Sequence, residues 1–102
     1  MRAAYSTPKS AILAFARVLA LEASSYGIRV NSIAPGATES DMSAKTFMAV
    51  KGLEESVIQK NPLGQLGAPD DQANAALLLC SYMASYITGE FLVVSRGGFF
   101  NA

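Results

Sequence analysis

Hydrophobic positions fall into five blocks along this chain, and their spacing changes from one block to the next. Across residues 11–23 the side chains are apolar on nearly every side of a helix, with Arg17 and Glu22 the only charges. A helix with one apolar stripe can lie on a sheet beside water, whereas one with two apolar faces needs a second partner. Gly27 stands where such a helix should stop. Residues 28–33, Ile-Arg-Val-Asn-Ser-Ile, alternate apolar and polar side chains and are rich in β-branched types, which predicts a strand ended by Pro35 and Gly36. Across residues 43–60, Phe47, Met48, Val50, Leu53, Val57 and Ile58 recur at helical spacing between charged residues, and Gly52 should weaken or break that helix. Residues 61–69 read as a loop by their Gly and Pro content. Pro69, Asp70 and Asp71 then open a helix to about Ser81, with proline in the first turn and carboxylates at the positive end of the dipole. Phe91–Val94 is a short continuous apolar run, the pattern of a strand covered on both faces. It should run parallel to residues 28–33 by a right-handed crossover. Two parallel strands and about three helices make an α/β unit, part of a doubly wound sheet whose ligands gather at the carboxyl ends of its strands.

Composition narrows the class. At 102 residues the chain is one domain at most, and 51% hydrophobic against 16% charged residues demands that its helices be covered on more than one side. Eight basic and eight acidic residues cancel, which argues against an electrostatic footprint for nucleic acid or an anionic membrane. No apolar run is long enough to cross a bilayer and no leader pattern opens the chain, so a cytoplasmic location is expected. Histidine is absent; Ser-His-Asp and Cys-His chemistry is therefore excluded, and no metal site is expected. Cys80, the single cysteine, sits in an apolar run and reads as a buried, unpaired thiol.

The candidate chemistry lies at the start. If the segment Tyr5-Ser6-Thr7-Pro8-Lys9 is helical, Tyr5 and Lys9 share one face a turn apart. A cation held within a few ångströms of a phenol favours the phenolate and readies such a hydroxyl to give and take a proton near neutrality. The same spacing also describes a tyrosine resting on a lysine stem with no chemistry at all. Pro8 removes a backbone donor and disfavours helix at Thr7, so regular helix is expected only from about residues 6–9, with Tyr5 at its threshold or in a distorted turn.

The surrounding residues favour the chemical reading. Y-S-T-P-K-S-A-I-L-A-F-A-R-V-L-A-L-E runs into Y-G-I-R-V-N-S-I-A-P-G, then S-Y-I-T-G-E-F-L-V-V with R-G-G beyond. Over nearly its whole length the chain resembles the C-terminal half of the short-chain dehydrogenase/reductase family, with a leaning toward 3-oxoacyl-[acyl-carrier-protein] reductases. The resemblance implies a Rossmann-type fold, an NAD or NADP cofactor, a small-molecule carbonyl or alcohol substrate, and hydride transfer in which Tyr5 moves the proton, with Tyr5 and Lys9 also contacting the cofactor and Lys9 bonding the nicotinamide ribose. It places Pro35, Gly36, Thr38 and Ser40 along the nicotinamide, with backbone at Thr38 and the Ser40 hydroxyl meeting the carboxamide. Residues 43–60 become a substrate lid with Met and Phe lining an apolar pocket, and the helix carrying Tyr5 packs on its equivalent in a second subunit. Several positions depart from the family: Thr38 replaces Ile or Val, Ser40 replaces Thr, Gln65 replaces Arg, and Ser95-Arg96-Gly97-Gly98 replaces Asp-Gly-Gly with one residue added. The dinucleotide fingerprint and the catalytic serine, which come earlier in the family, have no counterpart here. Residues 1–102 therefore read as the C-terminal segment of one such domain without its dinucleotide-binding half, and as an inactive chain in isolation, prone to aggregate or to pair with itself or a full-length homologue. Two rivals stand beside this: a non-catalytic assembly module that binds no cofactor, and an isomerase or dehydratase using the same Tyr-Lys pair.

Overall fold

The computed structural model describes residues 3–98. Its elements run α1 (Ala3–Ala23), a 3-10 turn at Ser24–Tyr26, β1 (Ser32–Pro35), α2 (Asp41–Ala49), α3 (Leu53–Lys60), α4 (Pro69–Cys80), a second 3-10 turn at Tyr82–Ala84, and β2 (Phe91–Val94). The chain divides into two units, one holding residues 3–32 and 78–92, the other residues 33–77 and 93–98.

The two strands lie side by side. Ser32 N–H donates to Glu90 O at 2.8 Å, and Gly36 N–H donates to Val94 O at 2.9 Å, so pairing advances in the same direction on both strands and the ladder is parallel. β2 occupies the predicted residues. β1 begins four residues later than the alternation predicts and extends through the proline expected to end it. With Ser32 and Gly36 donating toward β2, the alternation of amides sends position 35 to the opposite edge, where a missing N–H costs no ladder bond.

In the first unit, residues 29–31 are held by one backbone bond, Gly89 N–H to Val30 O at 2.7 Å, and by side chains. Val30 N–H donates to Thr88 Oγ1 at 3.0 Å, Asn31 Nδ2 donates to Ile87 O at 3.0 Å, and Asn31 Oδ1 accepts from Glu90 N–H at 3.1 Å. The Arg29 guanidinium reaches the Leu79, Ile87 and Ser81 carbonyls. The polar half of the alternation thus clasps the 87–90 turn. α1 starts at Ala3, earlier than Pro8 was expected to allow; Pro8 supplies no N–H to the Ala4 carbonyl, and the Thr7 hydroxyl donates to Ala3 O at 2.8 Å one turn back. Helix gives way to the 3-10 turn, which ends at Gly27 in the left-handed region with φ 70°.

Along α1 the more covered positions are Leu13, Ala16, Leu19, Ala20 and Ala23, a single stripe. Phe15, Val18 and Leu21, on the other side, are 66, 54 and 77% exposed. The two-faced helix expected from the sequence is present, with one of its faces bare. Cys80 departs from expectation: it is exposed, because it lies at the end of α4 beyond Leu77, itself 69% exposed.

In the second unit the helical pattern of residues 43–60 resolves into two helices, which makes four α-helices among the described residues where about three were expected. The break is at Gly52, with φ 78° at the N-terminus of α3. α2 begins at Asp41, two residues earlier than predicted, because Ser40 caps it. Ser40 Oγ accepts from Ser43 N–H at 3.0 Å and Ser43 Oγ accepts from Ser40 N–H at 2.8 Å, a reciprocal capping box. Residues 95–98 close the unit with two consecutive positive φ angles, Arg96 at 52° and Gly97 at 82°. Arg96 pairs with Asp71 at 3.5 Å, at the first turn of α4.

Candidate functional site

Candidate residues fall in both units. On α1, Tyr5 and Lys9 point along the same face, with Lys9 Nζ 5.5 Å from the centre of the Tyr5 ring. That separation is within range of attraction between an ammonium and an aromatic face. A turn apart, they continue the Leu13–Ala16–Ala20 stripe toward the helix N-terminus, yet residues 3–12 are all exposed. Tyr5 is 69% exposed. The face that is packed farther along α1 therefore presents a phenol and an ammonium to open space at its start.

In the second unit, the loop after β1 carries Pro35, Gly36, Thr38 and Ser40. Gly36 runs against Ser95: a Cβ at Gly36 would fall 2.6 Å from the Ser95 Cβ. Thr38 forms an isolated parallel bridge with Gly67, in which Glu39 N–H donates to Gly67 O at 2.8 Å and Gly67 N–H donates to Ala37 O at 2.9 Å. Because the groups on either side of Thr38 face Gly67, its own N–H and C=O face the opposite way, and neither has a backbone partner among the described residues. An adjacent donor and acceptor suit a primary carboxamide, which carries an accepting C=O beside a donating NH2. The Ser40 hydroxyl accepts from Ser43 N–H at 3.0 Å and donates to Ser43 Oγ at 3.2 Å, so both its proton and one lone pair are engaged in the cap.

Beside this loop, Ala44, Phe47, Met48 and Leu66 line a cavity of about 400 Å³, together with Glu39 and Glu54. Phe47 and Met48, expected to line an apolar pocket, are thus among its lining residues, with Met48 87% exposed and two carboxylates beside them.

Sequence reasoning missed Gln72. Its Nε2 donates to Thr38 Oγ1 at 3.2 Å and to Val94 O at 3.1 Å. The signal was a polar amide in register with Ala75 and Leu79, the covered positions of α4. Gly67 was read only as a loop residue, although a Cβ there would meet Thr38 Oγ1 at 3.2 Å.

Residues 1–99 match the family model described as enoyl-(acyl carrier protein) reductase. The chain is 41% identical over 95 residues to a 3-oxoacyl-[acyl-carrier-protein] reductase of Aquifex aeolicus, covering 93% of this chain and 37% of that protein. It is 42% identical over 94 residues to a 7alpha-hydroxysteroid dehydrogenase of Escherichia coli K12, covering 92% of this chain and 36% of that one. A solved 7 alpha-hydroxysteroid dehydrogenase complexed with NADH and 7-oxo glycochenodeoxycholic acid superposes with a TM-score of 0.86 at 40% identity, over 92% of this chain and 36% of the other. A short-chain type dehydrogenase/reductase from Mycobacterium ulcerans superposes at 0.87 with 33% identity, over 95% and 35%. The chain thus spans little more than a third of the length of the curated relatives it matches. Family model, sequence identity and superposition agree with the motifs around Tyr5, Arg29 and Gly89, and the chain belongs to the short-chain dehydrogenase/reductase family.

Proposed function

We propose that these residues are the C-terminal segment of an NAD(P)-dependent oxidoreductase that interconverts a small-molecule carbonyl and its alcohol. The observation that carries the reading is Lys9 Nζ 5.5 Å from the Tyr5 ring on an exposed helix face. In the reducing direction Tyr5 Oη gives its proton to the substrate oxygen, and in oxidation it takes the proton back. When bound, the nicotinamide supplies or accepts the hydride. Lys9, Pro35, Gly36, Thr38 and Ser40 would hold it, and the outward N–H and C=O of Thr38 fit its carboxamide. NADH in a relative's structure is consistent with this cofactor class. Phosphate binding and carbonyl polarisation would fall to sequence outside these residues.

The test places this chain in the E. coli 7alpha-hydroxysteroid dehydrogenase in exchange for the matching segment and follows NADH oxidation with a panel of carbonyl compounds. Turnover is expected, with a loss of about 100-fold or more in Tyr5→Phe. An unchanged rate in that variant overturns the assignment.

A second reading, an assembly module without cofactor, is favoured by the bare face of Phe15, Val18 and Leu21. Titrating NADH into the 102-residue chain separates the two: saturable enhancement of cofactor fluorescence removes the assembly-only reading.

A further inference from the structure

The side chain of Gln72 is the one amide on the covered face of α4, and its bonds form a closed circuit. Nε2 donates to Thr38 Oγ1 at 3.2 Å and Val94 O at 3.1 Å; Thr38 Oγ1 donates to Gly36 O at 3.0 Å; Gly36 N–H donates to the same Val94 O at 2.9 Å. The circuit ties α4, the end of β2 and both ends of the Gly36–Thr38 turn. Gln72 Oε1 is buried with no hydrogen-bond partner. An aliphatic side chain would fill the same space without burying an orphaned acceptor. What the amide adds is direction: it fixes the Thr38 hydroxyl on the inner side, where Gly67 also holds Ala37 O and Glu39 N–H. With all three groups drawn inward, Thr38 N–H and C=O are turned outward together.

We infer that Gln72 is a positioning residue for cofactor binding, acting through Thr38 to hold that backbone donor and acceptor in the orientation a nicotinamide carboxamide requires. The inference rests on the cofactor reading proposed above. Gln72 touches neither cofactor nor substrate. It acts by limiting how far the turn can rotate, so its loss weakens cofactor binding and leaves the chemical step intact.

Two measurements test it. In the 102-residue chain, amide hydrogen exchange at Glu39 and Gly67 should accelerate about tenfold in Gln72→Leu, relative to native; unchanged exchange overturns the inference whether or not cofactor binds. In the grafted dehydrogenase, Gln72→Leu and Thr38→Val should each raise the KM for NADH about 3- to 10-fold with kcat within about twofold. The double variant severs the same link a second time and should raise the KM no further than either single variant does. A general loss of stability would lower the melting temperature without this split. Single-variant effects that simply multiply, or a KM that Gln72→Leu leaves unmoved, overturn the inference. If the native graft itself shows no saturable NADH dependence, the cofactor reading fails, and the inference built on it fails with it.

Discussion

Gly36 and Ser95 approach so closely that a single methyl group on the glycine would lie 2.6 Å from the Ser95 Cβ and 2.7 Å from its Cα. Ser95 is buried, and the contact is to its backbone as well as its side chain, so no rotation relieves it. Gly36 is therefore required by approach; its φ is not in the positive range. Gly36→Ala should cost about 1–3 kcal/mol by overpacking, read as a lowered urea midpoint. Gly64 provides the contrast. Nothing lies within 4 Å of a Cβ there, and its φ of 75° alone opposes alanine. Gly64→Ala should cost about 1 kcal/mol.

Tyr5 separates stability from activity. Its ring is largely in solvent, and its hydroxyl makes no hydrogen bond among the described residues. Tyr5→Phe should shift the unfolding free energy by less than about 0.5 kcal/mol, while the same change in the grafted dehydrogenase removes turnover. A large stability change would mean that the hydroxyl has a structural partner and would undercut its reading as a proton donor.

Elements whose residues carry their own periodicity were legible from sequence. Phe91–Val94 and Pro69–Cys80 lie within a residue of expectation because an unbroken apolar run and a Pro-Asp-Asp start act locally. The break at Gly52 was legible for the same reason. β1 was not. Its alternating pattern is real, but Arg29 and Asn31 spend their polar groups on carbonyls and amides 50 or more residues away, which no local period encodes. In the candidate site, Tyr5, Lys9 and the Gly36–Ser40 loop could be named from motifs. Gln72 could not, since its significance is a partner 34 residues distant.

The bare side of α1 makes a prediction about association. Phe15, Val18 and Leu21 recur at intervals of three on one side of the helix, all more than half exposed. A contiguous apolar patch of this kind marks an interaction surface. The chain should self-associate at micromolar concentration in sedimentation velocity, and Phe15→Glu with Leu21→Glu should shift it toward monomer while helical circular dichroism is retained. Self-association unaffected by both charges would locate the contact elsewhere.

Arg29 joins the far ends of the first unit. One guanidinium nitrogen donates to Leu79 O at 2.8 Å and to Ile87 O at 3.3 Å, and the other donates to Ser81 O at 3.4 Å. Leu79 lies in the last turn of α4, where carbonyls lack helical donors and the dipole favours a cation. Lysine carries the same charge but only a single donor nitrogen, which cannot also serve the Ser81 carbonyl taken by the second guanidinium nitrogen. Arg29→Lys should therefore cost about 1–2 kcal/mol, and Arg29→Met, which removes all three charged-donor bonds although Ser81 O keeps Ala84 N–H and Ile87 O keeps Asn31 Nδ2, about 2–3 kcal/mol. The loss should appear as faster amide exchange at Ser81 and Ala84, whose N–H groups donate to Leu78 O and Ser81 O. If lysine matches arginine in both stability and exchange, charge at the helix end is the operative term and the forked geometry is incidental.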